Sequence, residues 1–516
     1  MMKVMKQVFY ILIVFLLAAC YDDKGNYDYE EINTITVLLD DVYSYRLDGD
    51  TTVCIIPELS QSLQKNRDNL EFMWVHSVIN EFIEGHDDND TISRIDTLRF
   101  HIVPDDPDLE YEHYFRLNVY DKLTEINYPF NVKIKLVKPY DGAWMILHNE
   151  NGHAALGAVE YMGNSILKTQ DAYYKETGKR LEGMAQCLGN YITYYYPYGR
   201  GEMFNLFSVI TDKPEESGVM CQWKKFELMS PLTKMVYSSD QSRFNYSNVK
   251  LIDGEASWGA VCLSDGVLFQ SPAAMKLYKA NIAADLGDNI RIKYASKAGF
   301  GAILYDEAGH RFCFYQNQSR STTGDPNRFN PTDENPSSYR INPVPKRDNN
   351  VTDVDVNNLP VEQKVLWVGA GYEFDPNNSR GFYANSVSIK GLDSCFVYEF
   401  NMDGMVSTVD GHPAFAGYYK LKLPEGMDEN SCFASTMSYS GILFYTVGNV
   451  VYRLDFKQSG GKATPVYTHA GGKATMMKFA KKAKINTNYL DFTNYEFDPN
   501  RSLGIVFDMG NGKCDF

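Results

Sequence analysis

Residues 442–456 read ILFYTVGNVVYRLDF, and this stretch decides the fold class of most of the chain. Two runs of β-branched and aromatic residues flank Gly448-Asn449, a dipeptide suited to a two-residue hairpin turn. The pattern therefore predicts an antiparallel β-hairpin. Apolar runs on both sides of short polar turns predict further hairpins, with turns at residues 149–152, 264–266 and 307–309.

The hairpins recur at a spacing typical of repeated sheets. Those starting near Val261 and Ile303 lie 42 residues apart, and the hexapeptide YEFDPN at 372–377 recurs at 495–500, 123 residues later, or three steps of 41. Periods of roughly 40–50 residues are typical of β-propeller blades. We therefore expect residues 140–516 to form a β-propeller-like domain of about seven blades.

One stretch interrupts the repeats. Residues 317–360 are rich in Asn, Asp, Pro and Ser and show no apolar period. Loops of this length are uncommon inside compact domains and are usually functional or disordered. We expect a disordered polar insertion here.

Residues 36–139 show a different pattern of short strands. In 70–74, 115–119 and 130–136, apolar residues alternate with polar ones, as in half-buried antiparallel strands. About a hundred residues of such strands suit an immunoglobulin-like β-sandwich. The sequence Pro-Tyr-Asp-Gly at 139–142 marks the predicted boundary with the second domain, so the chain is expected to be all-β.

The amino terminus has the pattern of a lipoprotein signal. Lys3 and Lys6 precede the apolar run 8–17, and two alanines are followed by Cys20. The run is too short for a permanent membrane span of about 20 residues. Residues 1–19 are therefore predicted to be a lipoprotein signal peptide, cleaved before Cys20, whose acylated end inserts into the lipid bilayer. An ordinary signal peptide is the alternative.

The segment after Cys20 is predicted to be a flexible tether, residues 20–35. It is polar and acidic with little apolar surface to bury. Asp22 and Asp23, just after the lipidated cysteine, resemble a surface-export signal. We expect an outer-membrane location facing the cell exterior, with the periplasmic face as the alternative.

Net charge restricts the partners. The formal charge is −16, and removal of Lys3 and Lys6 with the signal makes it −18 (−16 − 2). Nucleic acids require patches of Lys and Arg. We expect no nucleic-acid partner.

Motifs of enzymes and of metal or cofactor sites are absent from the sequence. There is no G-x-S-x-G, P-loop, H-E-x-x-H or Rossmann fingerprint, and the cysteines are scattered without zinc spacing. We expect no cofactor, no metal and no catalytic residue. Most cysteines are expected to be buried as small apolar groups, and the alternative is that some of them form one or two disulfides. A catalytic pair of carboxylates for glycoside hydrolysis stays an alternative, because the distance between two carboxyl groups in the fold does not show in a sequence.

The best ligand-binding candidates lie in a tyrosine-rich stretch at 191–200. A tyrosine offers a flat apolar face and a polar hydroxyl, which suits sugar rings or peptide surfaces. Packing of the same side chains in the core is the alternative. The candidates are Tyr194, Tyr195, Tyr196 and Tyr198.

Three signatures together resemble a known family. They are GNYDY at 25–29, the pattern IIP at 55–57 followed by LEFMW at 70–74, and YDGAWMIL at 140–147. The chain resembles the PKD-like family of lipoproteins from Bacteroidota, although Ala143 stands where a glycine is expected. The resemblance implies a surface lipoprotein associated with a SusC/SusD-like outer-membrane importer.

These observations lead to one functional expectation and two alternatives. We expect a non-catalytic accessory of a nutrient uptake system that binds a polysaccharide or peptide or docks on a SusC/SusD-like transporter. The first alternative is a propeller-type glycoside hydrolase or polysaccharide lyase. The second is a purely architectural subunit.

Overall fold

The computed structural model describes two compact units, the first ending at Pro139 and the second comprising Tyr140–Phe516. The described residues are 32–49, 51–77, 90–103, 110–140, 142–162, 165–195, 202–221, 225–255, 259–271, 277–298, 301–316, 340–345, 354–374, 381–402, 405, 414–435, 440–458, 460–479, 482–483, 495–496 and 503–516.

Unit 1 is built from nine described strands. Five form one sheet in the order β2-β9-β8-β5-β6, and two smaller sheets are β1-β4 and β3-β7. The strands are β1 Ile35–Leu38, β2 Val42–Arg46, β3 Thr51–Ile55, β4 Glu58–Gln61, β5 Leu70–Ser77, β6 Asp90–Ser93, β7 Leu98–Ile102, β8 Glu112–Asp121 and β9 Ile126–Val137.

The core of unit 1 lies between these sheets, and it confirms the alternating pattern of the sequence. Phe115, Leu117 and Val119 are fully buried, whereas their neighbours in β8 are more exposed. They share one apolar cluster with Trp74 and with buried residues of β3 and β7. Because every second side chain of a strand points to the same face, the period of two places this set in the core.

Unit 2 consists of many short strands in chain order. The first half comprises β10 Trp144–Glu150, β11 His153–Met162, β12 Ser165–Thr169, β13 Ala185–Tyr195, β14 Glu202–Thr211, β15 Gly218–Cys221, β16 Glu227–Pro231, β17 Val249–Glu255, β18 Gly259–Ser264, β19 Val267–Ser271, β20 Tyr278–Lys279, β21 Asn281–Ile282, β22 Ile292–Ala298, β23 Gly301–Asp306 and β24 Arg311–Gln316. The second half comprises β25 Arg340–Pro343, β26 Gln363–Phe374, β27 Gly381–Lys390, β28 Ser394–Asn401, β29 Phe415–Lys422, β30 Phe433–Ser435, β31 Ile442–Val447, β32 Val450–Asp455, β33 Lys462–Thr468, β34 Lys473–Phe479, β35 Lys482–Ala483, β36 Tyr495–Glu496, β37 Leu503–Asp508 and β38 Cys514–Asp515.

Helical structure among the described residues is short. It comprises α1 Ala172–Thr177, α2 Leu232–Met235 and the 3-10 turns Gln241–Arg243 and Ala284–Leu286. Asp171 caps α1 by accepting from the Tyr174 backbone N–H, and Gly178 ends it in the left-handed region. In this described part of the chain, no helix is long and apolar enough to cross a membrane.

The strands of unit 2 follow one another as antiparallel meanders of three or four strands. In chain order the meanders are β10-β11-β12, β13 to β16, β17 to β20, β22 to β25, β26 to β29, β30 to β33, and β34-β37-β38. The second and third merge into one eight-stranded sheet, because β13 and β17 pair in parallel through Tyr191↔Gly254 and Ile192↔Glu255. Apolar clusters lie between consecutive meanders, so each sheet buries a face against the next.

The first and last meanders of unit 2 are in contact. The Asn151 backbone N–H donates to Gly512 at 3.2 Å, and Lys168 Nζ lies 3.4 Å from an Asp515 carboxylate oxygen. The Phe516 ring packs against Gly157, where an added Cβ would lie 2.8 Å from it. The two ends of unit 2 therefore stabilise each other.

The structure confirms the hairpins predicted from the sequence. Val447 pairs with Val450 across Gly448-Asn449, and Ser264 pairs with Val267 across Asp265-Gly266. The hairpins β10-β11 and β23-β24 are present as well.

Two sequence interpretations need correction. Within the insertion predicted at 317–360, the structure describes residues 340–345 and 354–360. These contain β25 and bury Ile341, Val344, Val356 and Leu359 in the core, whereas 317–339 and 346–353 lie outside the described residues. These four residues are too widely spaced to give a periodic signal. The two copies of the hexapeptide lie two meanders apart rather than three. The first copy begins at the end of β26, in the fifth meander, and the second begins with β36, which lies between β34 and β37 in sequence and pairs with β35 in a small separate sheet.

Candidate functional site

Of the four tyrosines predicted to bind ligand, the structure describes only the backbones of Tyr194 and Tyr195. Tyr194 and Tyr195 end β13, where their backbones pair with Met203 and Glu202. Their side chains, Tyr196 and Tyr198 lie outside what the structure describes, and so do Cys20, Asp22 and Asp23. The roles predicted for these residues stay predictions.

A different part of unit 2 forms a groove, which we call the Tyr278 groove. It has a volume of about 550 Å³ and lies at the edge of the eight-stranded sheet, beside β20 and β21. Its lining comes from the connection after β16, from β19, and from residues 278–288. The lining residues are Asp240, Arg243, Gln270, Tyr278, Lys279, Ala280, Asn281, Ile282 and Asp288.

Backbone hydrogen bonds fix the groove's two walls to each other. Val236 forms a parallel bridge with Leu277, the Leu277 N–H donates to Met235 at 2.7 Å, and the Tyr237 N–H donates to Leu277 at 2.9 Å. Leu277 and Met235 are themselves fully buried in an apolar cluster. The wall that carries Asp240 is therefore held in register with β20.

Charged groups of both signs line the Tyr278 groove. Asp240 is only 8% exposed; its carboxylate accepts from the Lys279 backbone N–H at 3.1 Å and lies 3.7 Å from Arg243. The Arg243 side chain is 62% exposed and keeps donors free toward solvent. Asp288 adds a second carboxylate. The groove thus presents hydrogen-bond donors and acceptors together.

An aromatic face completes the Tyr278 groove. The rings of Tyr237 and Tyr278 lie 4.6 Å apart between centroids at 31°, and Tyr237 is 44% exposed. On the inner side, Gln270 accepts a hydrogen bond from the Tyr315 hydroxyl, both side chains being buried. An aromatic surface next to charged and amide groups suits a ligand that carries both apolar faces and hydroxyl or amide groups.

Sequence reasoning missed this groove. Its residues are spread over 240–288 and come from three strands, β19, β20 and β21, and from the connections beside them, so no local motif joins them. The only sequence signal is a pair of isolated tyrosines, Tyr237 and Tyr278, 41 residues apart (278 − 237). Such a spacing alone does not place two rings in contact.

Apart from Cys187, the described cysteines have free thiols. Cys221, Cys262, Cys313 and Cys395 are buried, which confirms the apolar role for these four, whereas Cys54 is exposed. Burial raises the pKa of Cys313 to about 12, with Asp306 adding to the effect, and burial also raises the pKa of Cys395 to about 12. Both thiols therefore stay protonated at neutral pH. No group of three or more metal-ligating side chains occurs within the described ranges.

A pair of histidines lies in unit 1, at the β6 end of the sheet. His76 Nε2 is 3.1 Å from His113 Nδ1; the Phe100 ring packs on both imidazoles and the Phe115 ring packs on His76. Burial, and then the neighbouring His113, lowers the pKa of His76 to about 4, while Asp90 acts in the opposite direction. Burial also lowers the pKa of His113. Both imidazoles are therefore neutral at pH 7.

The strands and sheets described above define an all-β protein of two units. The model of the PKD-like family matches residues 20–184, which include unit 1 and the start of unit 2. This match agrees with the resemblance found in the amino-terminal third of the sequence. No curated protein matches the chain.

Solved structures give only distant similarities. AztD from Citrobacter koseri is 10% identical, with a TM-score of 0.31, over 77% of this chain and 82% of that protein. The WD40 domain of SCAP from fission yeast is 8% identical, with a TM-score of 0.32, over 70% of this chain and 85% of that domain. Scores at this level do not define a common fold.

Proposed function

We propose that unit 2 is a seven-bladed β-propeller-like head whose Tyr278 groove binds a polysaccharide or peptide ligand without chemical conversion. The series of antiparallel meanders and the contact between the first and the last of them support the propeller. The observation that carries the ligand-binding role is the groove itself, where the Tyr237–Tyr278 aromatic pair adjoins Asp240 and Arg243.

The same proposal includes the cellular setting. The chain is a lipoprotein anchored through acylated Cys20, exposed on the outer membrane, and an accessory of a SusC/SusD-like importer. The amino-terminal sequence and the PKD-like match over 20–184 support it. A ligand-binding head tethered beside a transporter raises the ligand's local concentration, so weak contacts suffice.

Affinity electrophoresis of the full chain in detergent tests the groove, with soluble polysaccharides and peptide digests cast into the gel. We expect retardation by at least one polymer and at least a tenfold weaker interaction for Tyr278→Ala, which corresponds to about 1.4 kcal/mol. Tyr120→Ala removes an exposed tyrosine of unit 1 and serves as the control. Equal retardation of the native protein and Tyr278→Ala would contradict the proposed site.

Metabolic labelling with palmitate tests the anchor. The native chain should incorporate the label and Cys20→Ser should not. An unlabelled native chain that keeps its leader would contradict the lipoprotein assignment.

A further inference from the structure

Two buried polar side chains of opposite hydrogen-bonding character line the Tyr278 groove. Gln270 is 7% exposed and Asp240 is 8% exposed. Gln270 in β19 pairs directly with Tyr278 in β20, and directly paired residues present their side chains on the same face of a sheet. The Gln270 amide therefore lies beside the ring of Tyr278.

The Gln270 amide offers the groove a hydrogen-bond donor. Its Oε1 accepts from the Tyr315 hydroxyl, which fixes the orientation of the amide. Its Nε2 has no hydrogen-bond partner among the residues that the structure describes, and it is not fully enclosed by protein. A primary amide nitrogen can donate two hydrogen bonds. The donors of this buried side chain are therefore available to a molecule in the groove.

The Asp240 carboxylate offers the groove an acceptor. Its Oδ2 accepts from the Lys279 backbone N–H at 3.1 Å, whereas its Oδ1 lies 3.7 Å from the Arg243 guanidinium, beyond hydrogen-bond distance. In the described part of the chain no other donor reaches Oδ1, and this oxygen is not fully enclosed either. Buried polar groups in native proteins normally have hydrogen-bond partners, so the unpaired donor and acceptor point to a ligand that pairs with both.

Gln270 and Asp240 reach the groove from opposite sides of β20. Gln270 comes from β19, on the inner side, and Asp240 bonds to the outer edge of β20 through the Lys279 N–H. A ligand group that joins them must therefore accept a hydrogen bond on one side and donate one on the other. A secondary amide has this form, because its C=O and N–H point in opposite directions within one rigid plane. A hydroxyl group has a single oxygen and does not reach across the strand.

The outer edge of β20 decides between two sources of a secondary amide, a peptide chain and an N-acetylated sugar. A peptide that adds to a sheet as an extra strand needs free backbone groups at the sheet edge. Here the Leu277 N–H donates to Met235 at 2.7 Å, and the Lys279 N–H donates to Asp240. Both of these outward N–H groups are occupied, so the groove favours an amide carried on a sugar ring.

We propose, resting on the function proposed above, that the Tyr278 groove takes an N-acetylated amino sugar of a polysaccharide. The acetamido C=O accepts from Gln270 Nε2, its N–H donates to Asp240 Oδ1, and the apolar face of the sugar packs on the Tyr278 ring. Because Tyr315 and the Lys279 N–H already hold the two polar side chains in place, little further ordering accompanies binding. A site built to hydrogen-bond such a group rejects an analogue that lacks it.

Titration calorimetry of the full chain in detergent tests the inference with two tetrasaccharides of the same length and linkage. The N-acetylglucosamine tetramer carries an acetamido group where cellotetraose carries a hydroxyl, and we expect it to bind at least tenfold more tightly. Gln270→Glu keeps an acceptor for Tyr315 and replaces the donor by an oxygen, so it should weaken binding of the acetylated tetramer at least fivefold. Asp240→Asn keeps an oxygen for the Lys279 N–H and should weaken binding to a similar extent. Tyr120→Ala, in unit 1, is the control and should bind as the native chain does.

Three results would overturn the inference alone. The first is equal affinity of the native chain for both tetramers; if Tyr278→Ala weakens both, the groove is a binding site without this selectivity. The second is no binding of the acetylated tetramer, in which case only water pairs with Gln270 and Asp240; retardation by another polymer or a peptide that Tyr278→Ala abolishes would still support the proposed function. The third is unchanged affinity in a folded Gln270→Glu or Asp240→Asn. Binding that Tyr278→Ala leaves unchanged would contradict both the inference and the proposed site.

Discussion

The histidine pair of unit 1 makes local stability depend on pH. Replacing His76 by glutamine keeps a hydrogen-bonding group beside His113 and removes one titrating imidazole. The folded pKa of His76 is lowered to about 4 from an ordinary 6.5, by burial first and by His113 second. The unfolded chain therefore takes up the proton first as the pH falls. The stabilisation from neutral His76 is full above pH 6.5 and is lost as the pH falls toward 4.

The size of the stability loss follows from the pKa shift of His76. A pKa lowered from 6.5 to about 4 corresponds to about 2 kcal/mol of stability lost between pH 7 and pH 5. His76 is only half-buried, and solvent screening reduces this figure to about 1 kcal/mol. His113 adds a loss of the same sign, because its pKa is also lowered by burial.

Hydrogen exchange of the full chain measures the effect at β5. The opening free energy of peptides covering residues 70–77, corrected for the intrinsic pH dependence of exchange, should fall from pH 7 to pH 5. In His76→Gln the fall should be smaller by about 1 kcal/mol. Peptides from β31 and β32, far from this pair in sequence, serve as the internal control. An equal fall in the native protein and the variant would refute the reasoning.

Three further predictions concern packing and thiols. Among the described cysteines, Cys54 should react first with a thiol reagent at pH 8 in the folded protein, while Cys313 and Cys395 react only after unfolding, as alkylation and peptide mapping can check. Gly369→Ala should destabilise unit 2 by about 1–3 kcal/mol, because its Cβ collides with the Trp367 ring; an unchanged thermal midpoint would argue against the ring position. Phe516→Ala should cost about 1–2 kcal/mol, since the ring is half-buried against the first meander, and a calorimetric midpoint equal to that of the native chain would show that this contact does not stabilise unit 2.

Local turn chemistry explains why the hairpins could be predicted. Gly448 has a φ of 59°, and Asp265 and Gly266 have φ values of 47° and 75°. Type I′ turns need a positive φ at both central residues, as at Asp265-Gly266, and type II′ turns need it at the first, as at Gly448; Gly, Asn and Asp adopt a positive φ most readily. The alternation of apolar and polar residues along each strand then defines which side chains face the core. Both signals lie within about ten residues of sequence, so one chain suffices to detect them.

Neither the groove nor the contacts between meanders could be predicted in this way, because the residues that meet are distant in sequence. Asn385 meets Ser435 across 50 residues, and Lys457 meets Glu399 across 58. The walls of the groove meet through Val236 and Leu277, which lie 41 residues apart (277 − 236). Contacts between meanders depend on how the sheets pack, and the sequence pattern only says that each sheet has an apolar face.

The parallel pairing of β2 with β9 has a mechanical consequence. These strands lie near the two ends of unit 1 and pair over five positions, from Val42↔Lys133 to Arg46↔Val137. A pulling force between the start of the chain and unit 2 acts in opposite directions along two parallel strands. It loads their hydrogen bonds together in shear instead of opening them one after another. Unit 1 should therefore withstand extension better than a hairpin of the same length.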